Sequence, residues 1–496
     1  MDITVHLPAL QVIVPLLAAP LVLLLKPRGL AWAGATSVAV LSFCIALSMA
    51  VDVVGGAHFR YAMGGWAAPY GIELSIGAFS ALVLLIVCGA AAFSLLAARH
   101  SVDRQIEGER QPLFYAAWLL ALAGLAGIAV SADAFNIFVF MEISSLASYV
   151  LIAGGPDRRA LPSVFKYLIM GTIGATFYLI GIGLVYMMTG TLNLADMEAR
   201  IGDVTDVKPI MVAAGFITIG LALKAAVFPL HVWLPNAYTH APHMITAFLA
   251  ACATKVAIYV LIRFDFFVFQ ANLPGHHLQF SFFLLPLALL GILVASAVAM
   301  FEGNLKRLLA TSSVAQIGYI ILGASFLTEA GLTASAAHLF NHALAKGGLF
   351  LAVACLACHY RDLRLDQLAG AARGMPLTAA AMVVSGFSLI GIPGTAGFIS
   401  KWLLISAALG EGPYAWVLVA IILASSLMAL VYIWRILETL YFRPAMIAPE
   451  QPGEAPLPLL GVTLIVALAN IGFGLFPQFP LSLSSAAAEL LLRHSL

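Results

Sequence analysis

Charge is scarce in this chain: Asp, Glu, Lys and Arg together make up 9% of its 496 residues, against about 25% in ordinary soluble domains. With hydrophobic residues at 62% and a mean hydropathy of +1.03, that scarcity excludes a conventional soluble fold and points to a polytopic membrane protein. A net charge of +1 lacks the basic excess that nucleic-acid binding draws on. The five cysteines, Cys44, Cys88, Cys252, Cys355 and Cys358, all lie in apolar stretches, so there is no ectodomain framework for disulfides to staple. No Lys or Arg precedes the first apolar segment; Lys26 and Arg28 follow it, the wrong order for a cleaved signal peptide, and the segment reads as the first membrane span. No quinone, nucleotide or iron–sulfur motif is present, so no cofactor is expected and any redox chemistry would lie in partner chains. The one haem-like pattern, Cys355-Leu-Ala-Cys358-His359, reads as two small cysteines near the inner end of a helix.

Apolar stretches of about 20 residues are long enough to cross a bilayer as helices. About fourteen are present, at 8–25, 30–54, 72–97, 113–131, 135–153, 163–189, 209–240, 243–268, 279–301, 308–327, 333–357, 377–409, 414–440 and 457–477. The fold class is an all-α polytopic membrane protein with one membrane domain and no soluble one. Basic residues gather in alternate connections: Lys26 and Arg28; Arg99, Arg104 and Arg110; Arg158 and Arg159; Lys306 and Arg307; Arg361, Arg364 and Arg373; Arg435 and Arg443. The other side holds Arg60, Arg200, Lys208, Arg263 and Arg493. By the positive-inside rule the first set faces the cytoplasm and both termini face outward, across the cell's inner (plasma) membrane.

Against this background five lysines fall within spans: Lys166, Lys224, Lys255, Lys346 and Lys401. Lys166 lies near a helix end, where it can snorkel. The others sit deeper, where a lysine costs roughly 2.5–3.5 kcal/mol on insertion scales. Lys224 and Lys255 flank a stretch with Pro229, Pro235 and Pro242 and with His231, His240 and His243. Such prolines free backbone carbonyls that must face protein or water rather than lipid. Lys401 follows a second interruption, where Gly391, Pro393, Gly394 and Gly397 break the twelfth span. Two Gly/Pro-interrupted spans in corresponding places suggest two inverted five-helix repeats, spans 4–8 and 9–13, with helices 7 and 12 broken. The chain then divides into 1–112, the repeats at 113–268 and 279–440, and a closing helix and tail at 441–496.

Three further groups complete the titratable set. Glu142 heads a polar stripe with Ser145 and Tyr149 at i+3 and i+7. It reads either as a protonated glutamate gluing helices together or as half of a switchable ion pair, for which Lys224 is the natural partner. His338, His342 and Lys346 recur every four residues and trace a slowly turning line along one helix face. Zinc would need a third ligand and would be repelled by Lys346, so no metal is expected; a hydrated proton relay suits imidazoles better. The alternative for the whole set is polar glue in a scaffold.

Five stretches carry a resemblance: LKAAVFPLHVWLPNAYTHAP, TKVAIYVLIR, NLKRLLATSSVAQIGYIILG, HLFNHALAKGGLFLA and GIPGTAGFISKW. From about 113 to 440 the chain resembles the antiporter-like membrane subunits shared by respiratory complex I, membrane-bound hydrogenases and Mrp-type sodium/proton antiporters. The FISKW and KGGLF wording leans toward the D-type member of the Mrp set. The resemblance implies fourteen helices with two inverted repeats, a Glu142–Lys224 ion pair, Lys255 as central lysine, and Lys401 as the lysine of a terminal half-channel. His338 and His342 would connect the centre to it. Asn236 stands where many relatives carry Asp, and Met141 where Trp is common. The implied activity is proton translocation within a multisubunit antiporter of protons and sodium, beside other membrane subunits and with no nucleic acid. The rivals are a proton-pumping subunit of a complex I-like oxidoreductase or hydrogenase, and a stand-alone solute transporter.

Overall fold

A computed structural model describes residues 3–25, 27–269, 278–444 and 453–493. Lys26, one of the basic residues used above for orientation, lies outside them. The first helices are α1 (Leu7–Leu23), α2 (Arg28–Val54), α3 (Ala78–Gln105), α4 (Gln111–Val130), α5 (Ala134–Ala153) and α6 (Ala160–Thr189). Next come α7 (Leu194–Ile201), α8 (Lys208–Ala225), α9 (Trp233–His240), α10 (His243–Arg263), α11 (Leu285–Phe301) and α12 (Leu305–Ser325). The remainder are α13 (Glu329–Leu356), α14 (Pro376–Ile390), α15 (Ala396–Ala408), α16 (Ala415–Leu437), α17 (Leu457–Leu475) and α18 (Gln478–Arg493).

Among the described residues thirteen helices are long and apolar enough to cross a membrane. The short helices α14 and α15, one after the other across a break at 391–395, occupy the stretch read as the twelfth span. The chain is therefore a nearly all-helical polytopic membrane protein, its spans helical as a bilayer demands of backbone groups that cannot reach water. The central helices are the most enclosed: the most apolar windows of the spans at α10 and α12 are 94% and 100% buried, against 39% for that of α2. Local chemistry sets several helix starts. The side chains of Asp133, Asn193, Asn304 and Thr328 accept hydrogen bonds from backbone N–H groups in the first turns of α5, α7, α12 and α13.

Three connections hold structure that hydropathy does not reveal. The stretch between α2 and α3 forms an antiparallel hairpin, β1 (Phe59–Ala62) against β2 (Glu73–Ile76). The connection at 190–208 contains α7, and the C-terminal tail forms α18, which packs on α13 and α3.

The seventh span is broken, but Pro235 is not what breaks it. The interruption runs from Ala226 to Val232 and includes Pro229; Pro235 is the third residue of the resumed helix α9, where a missing N–H costs nothing. Gly397 likewise lies inside α15 rather than in the break. Its role is close approach: a Cβ there would meet the Ser388 carbonyl oxygen at 1.8 Å. Gly391 ends α14 with φ of 91°, the left-handed geometry glycine adopts at little cost.

Candidate proton pathway

Helix α8 stops one residue after Lys224. Ala226 turns left-handed, with φ of 57°, and the chain crosses to α9. The Leu223 carbonyl at this end accepts a hydrogen bond from the Trp233 indole at 3.0 Å, and Trp233 stacks on Tyr167 at 4.0 Å. Lys224 thus sits in the last turn of α8, where the negative end of the helix dipole favours a cation. Its ammonium donates to Glu142 Oε1 at 3.0 Å and to the Ser145 hydroxyl at 2.8 Å. Ser145 directs its own proton to the Met141 carbonyl, leaving its oxygen free to accept. The Lys224 side chain is 9% exposed and that of Glu142 is 30% exposed. Beside the pair a cavity of about 30 Å³ opens toward α10, lined by Lys224, Ser144, Ser145, Ser148 and Tyr167. That is room for about two water molecules, with apolar side chains of α4 and α10 closing the rest of the wall.

Lys255 on α10 is fully buried, and its ammonium donates to the Ala250 carbonyl of its own helix. It lies within electrostatic reach of His338, His342 and Lys346 on α13. Lys346, equally buried, donates to the Leu309 carbonyl and the Ser312 hydroxyl of α12, each at 2.6 Å. The rings of His338 and His342 lie parallel to within 8°, 6.2 Å apart. His342 has no hydrogen-bond partner on either ring nitrogen among the described residues.

His338 bridges α12 and α15. Its Nε2 donates to the Gln316 side-chain oxygen at 3.0 Å, and its Nδ1 accepts from the Ser400 hydroxyl at 2.9 Å. That is the neutral tautomer with its proton on Nε2. If Nδ1 gains a proton, Ser400 becomes the acceptor and turns its hydrogen to the Gly397 carbonyl, 3.3 Å away. Lys401, next in sequence, donates to the Ile390 carbonyl at 2.8 Å and to Ser426 at 3.1 Å, with its ammonium 5.0 Å from the centre of the Tyr319 ring. Ile390 is the last residue of α14. Both half-helices, α8 and α14, therefore end on a lysine.

The structure pairs Glu142 with Lys224 at the first break and groups Lys255, Lys346, His342 and His338 on α10 and α13, with Lys401 at the second break within electrostatic reach of His338. It places Lys166 apart from them, exposed on α6. Sequence reasoning missed the partners of this set: Ser312 on α12 and Ser426 on α16, whose oxygens receive Lys346 and Lys401; the Tyr319 ring facing Lys401; and Gln316 on α12 and Ser400 on α15, which hold His338. It also misassigned Lys306, read as a loop charge but 3% exposed in the first turn of α12. Among the described residues no group of three His, Cys, Asp or Glu side chains could hold a metal ion. Cys355 and Cys358 are buried free thiols, and the intervening helix end is tied down by Arg104, which donates to the Cys358 carbonyl.

Comparison with known proteins places this arrangement. Residues 131–429 match the family described as "NADH:quinone oxidoreductase/Mrp antiporter, TM". The chain is 40% identical to the N subunit of NADH-quinone oxidoreductase from Desulforudis audaxviator, over 96% of this chain and 97% of that one. It is 29% identical to the D-type subunit of the Na(+)/H(+) antiporter from Alkalihalophilus pseudofirmus, over 89% and 88%. A chain in the Mrp complex from Dietzia sp. DQ12-45-1b superposes with a TM-score of 0.89 at 27% identity, covering 99% of this chain and 98% of the other. The chain belongs to the NADH:quinone oxidoreductase/Mrp antiporter transmembrane family, as a proton-translocating, antiporter-like subunit of the kind found in Mrp and complex I-like assemblies.

Proposed function

We propose that this chain carries protons along Glu142, Lys224, Lys255, Lys346, His342, His338 and Lys401. The observation that supports this most is the composition of the buried set. It holds four lysines and two histidines; apart from the bond of Lys224 to the single carboxylate, Glu142, at one end, the hydrogen bonds they make go to neutral oxygens. A sodium ion wants several oxygen ligands converging on it, and ammonium groups would repel it. Proton transfer through this chain, with sodium handled by another subunit, is the more economical division of labour.

The working step is electrostatic. While Glu142 faces Lys224, the carboxylate supports the ammonium form; when it swings away, the uncompensated charge passes its proton on toward Lys255. Withdrawal of a countercharge at one site thereby drives transfer at the next, as far as Lys401 beside the second break. Proton uptake by vesicles carrying the intact assembly tests this. Glu142→Ala and Lys224→Ala are expected to abolish uptake, and a wild-type rate in either would sink the pathway.

The assembly is proposed to be a multisubunit sodium/proton antiporter in the cell's inner membrane, with both chain termini outside; the chain superposes on a chain of the Mrp complex and, with the same TM-score of 0.89, on one of a membrane-bound sulfane sulfur reductase. The 40% identity to the N subunit of the oxidoreductase favours a second reading, a redox-driven proton pump. The subunits that co-purify separate the two. Iron–sulfur proteins mean a redox pump; small membrane proteins alone mean an antiporter.

A further inference from the structure

Lys306 has no place in the pathway above, yet its side chain is enclosed at the start of α12. Its ammonium donates at 2.7 Å to the carbonyl of Ala241, the first of the two residues joining α9 to α10. On the other side of that joint, His240 Nδ1 donates to Asp157 Oδ2 at 2.9 Å. Asp157 lies in the connection between α5 and α6, 30% exposed at its side chain and also bridged by Arg159 at 3.0 Å. Half-buried His243 completes the group; its backbone N–H donates to the Gln105 side chain and its Nδ1 has no partner among the described residues.

This geometry has the parts of a proton inlet. The half-exposed carboxylate holds the Nδ1–H of His240, so a neutral imidazole keeps Nε2 bare to accept a proton, and the resulting imidazolium faces an anion. Lys306 holds the carbonyl of the next residue, Ala241. Helix α12 then leads inward: Lys346 donates to the Leu309 carbonyl and the Ser312 hydroxyl of that same helix. Those positions lie about 5–9 Å along the axis from residue 306 at 1.5 Å per residue.

We propose that Asp157, His240 and Lys306 form a proton inlet that feeds Lys346 along α12, separate from the Glu142–Lys224 pair; it rests on the pathway proposed above. In each transfer the Lys306 ammonium first gives a proton inward, and the neutral amine left behind then takes the proton from His240: the N–H bond of imidazolium breaks as one forms on the lysine nitrogen. The joint couples the halves of the molecule as well, because the carbonyl that holds Lys306 belongs to the resumed part of the seventh span.

Arginine separates a carrier from a strut. It keeps a positive charge and a donor for the Ala241 carbonyl but does not give up its proton. The experiment measures proton uptake by vesicles bearing the intact assembly, with assembly yield checked for each variant. Lys306→Arg is expected to assemble as wild type yet slow uptake by about 100-fold, the scale of losing one acid–base group; Asp157→Asn is expected to slow it by about tenfold or more. Wild-type uptake in either variant, while Glu142→Gln is impaired, overturns the inlet and leaves the main pathway standing. If Glu142→Gln also transports normally, it is the pathway that has failed.

Discussion

Removing one half of the Glu142–Lys224 pair should cost unequal amounts depending on which half goes. At 3.0 Å and an effective dielectric of about 20 the pair attraction is about 5–6 kcal/mol, and breaking a fully buried pair by deleting one partner costs about 3–5 kcal/mol. The two partners are enclosed to different degrees, with Lys224 9% exposed and Glu142 30% exposed. Glu142→Gln leaves the better-buried charge with neutral acceptors only, so about 2–3 kcal/mol is expected. Lys224→Met strands a carboxylate that water already reaches, so about 1–2 kcal/mol is expected. The double variant strands nothing and should fall short of the sum by about 1 kcal/mol or more. Denaturant melts of the purified assembly in detergent measure this cycle. Transport should be lost in all three, because restoring stability does not restore a titratable group. An additive cycle, or a Lys224→Met variant less stable than Glu142→Gln, would refute the charge-pair account.

Two further outcomes follow from local geometry. Gly397→Ala drives a methyl to within 1.8 Å of the Ser388 backbone oxygen; neither backbone segment can yield, so a loss of about 3 kcal/mol or more is expected, read as a fall in the monodisperse fraction on size-exclusion chromatography. Burial works against the charge on Asp157, but hydrogen bonds from the Arg159 side chain and backbone and from His240 outweigh it and bring the carboxyl from its ordinary 3.8 to about 2. A carboxyl lowered by folding stabilises above its unfolded value and loses that contribution as pH falls through the folded one. The stability gap between wild type and Asp157→Asn should hold steady above roughly pH 5 and close between about 4 and 2; a gap unchanged across that window would contradict the hydrogen-bond network.

Sequence alone determined that the chain crosses a membrane about fourteen times, because a bilayer leaves the backbone no other way to satisfy itself. It also marked the two breaks and the lysines beside them, since buried cations and mid-span Gly and Pro are costly enough to stand out. Other features left no such mark. A four-residue strand pair such as Phe59–Ala62 with Glu73–Ile76 has too little hydropathy signal to read. Lys306 resembles any basic residue at a helix end, and only the packing of α12 against the α9–α10 joint encloses it. The line of His338, His342 and Lys346 was legible, but not where it leads. Each step of four residues turns about 40° beyond a full turn, so the line rotates along α13. His338 ends facing Ser400 and Gln316, while Lys346 faces Leu309 and Ser312. Which oxygens receive each cation depends on how α12, α15 and α16 are set around α13 and α10. That is a matter of helix packing, and only the tertiary structure decided it.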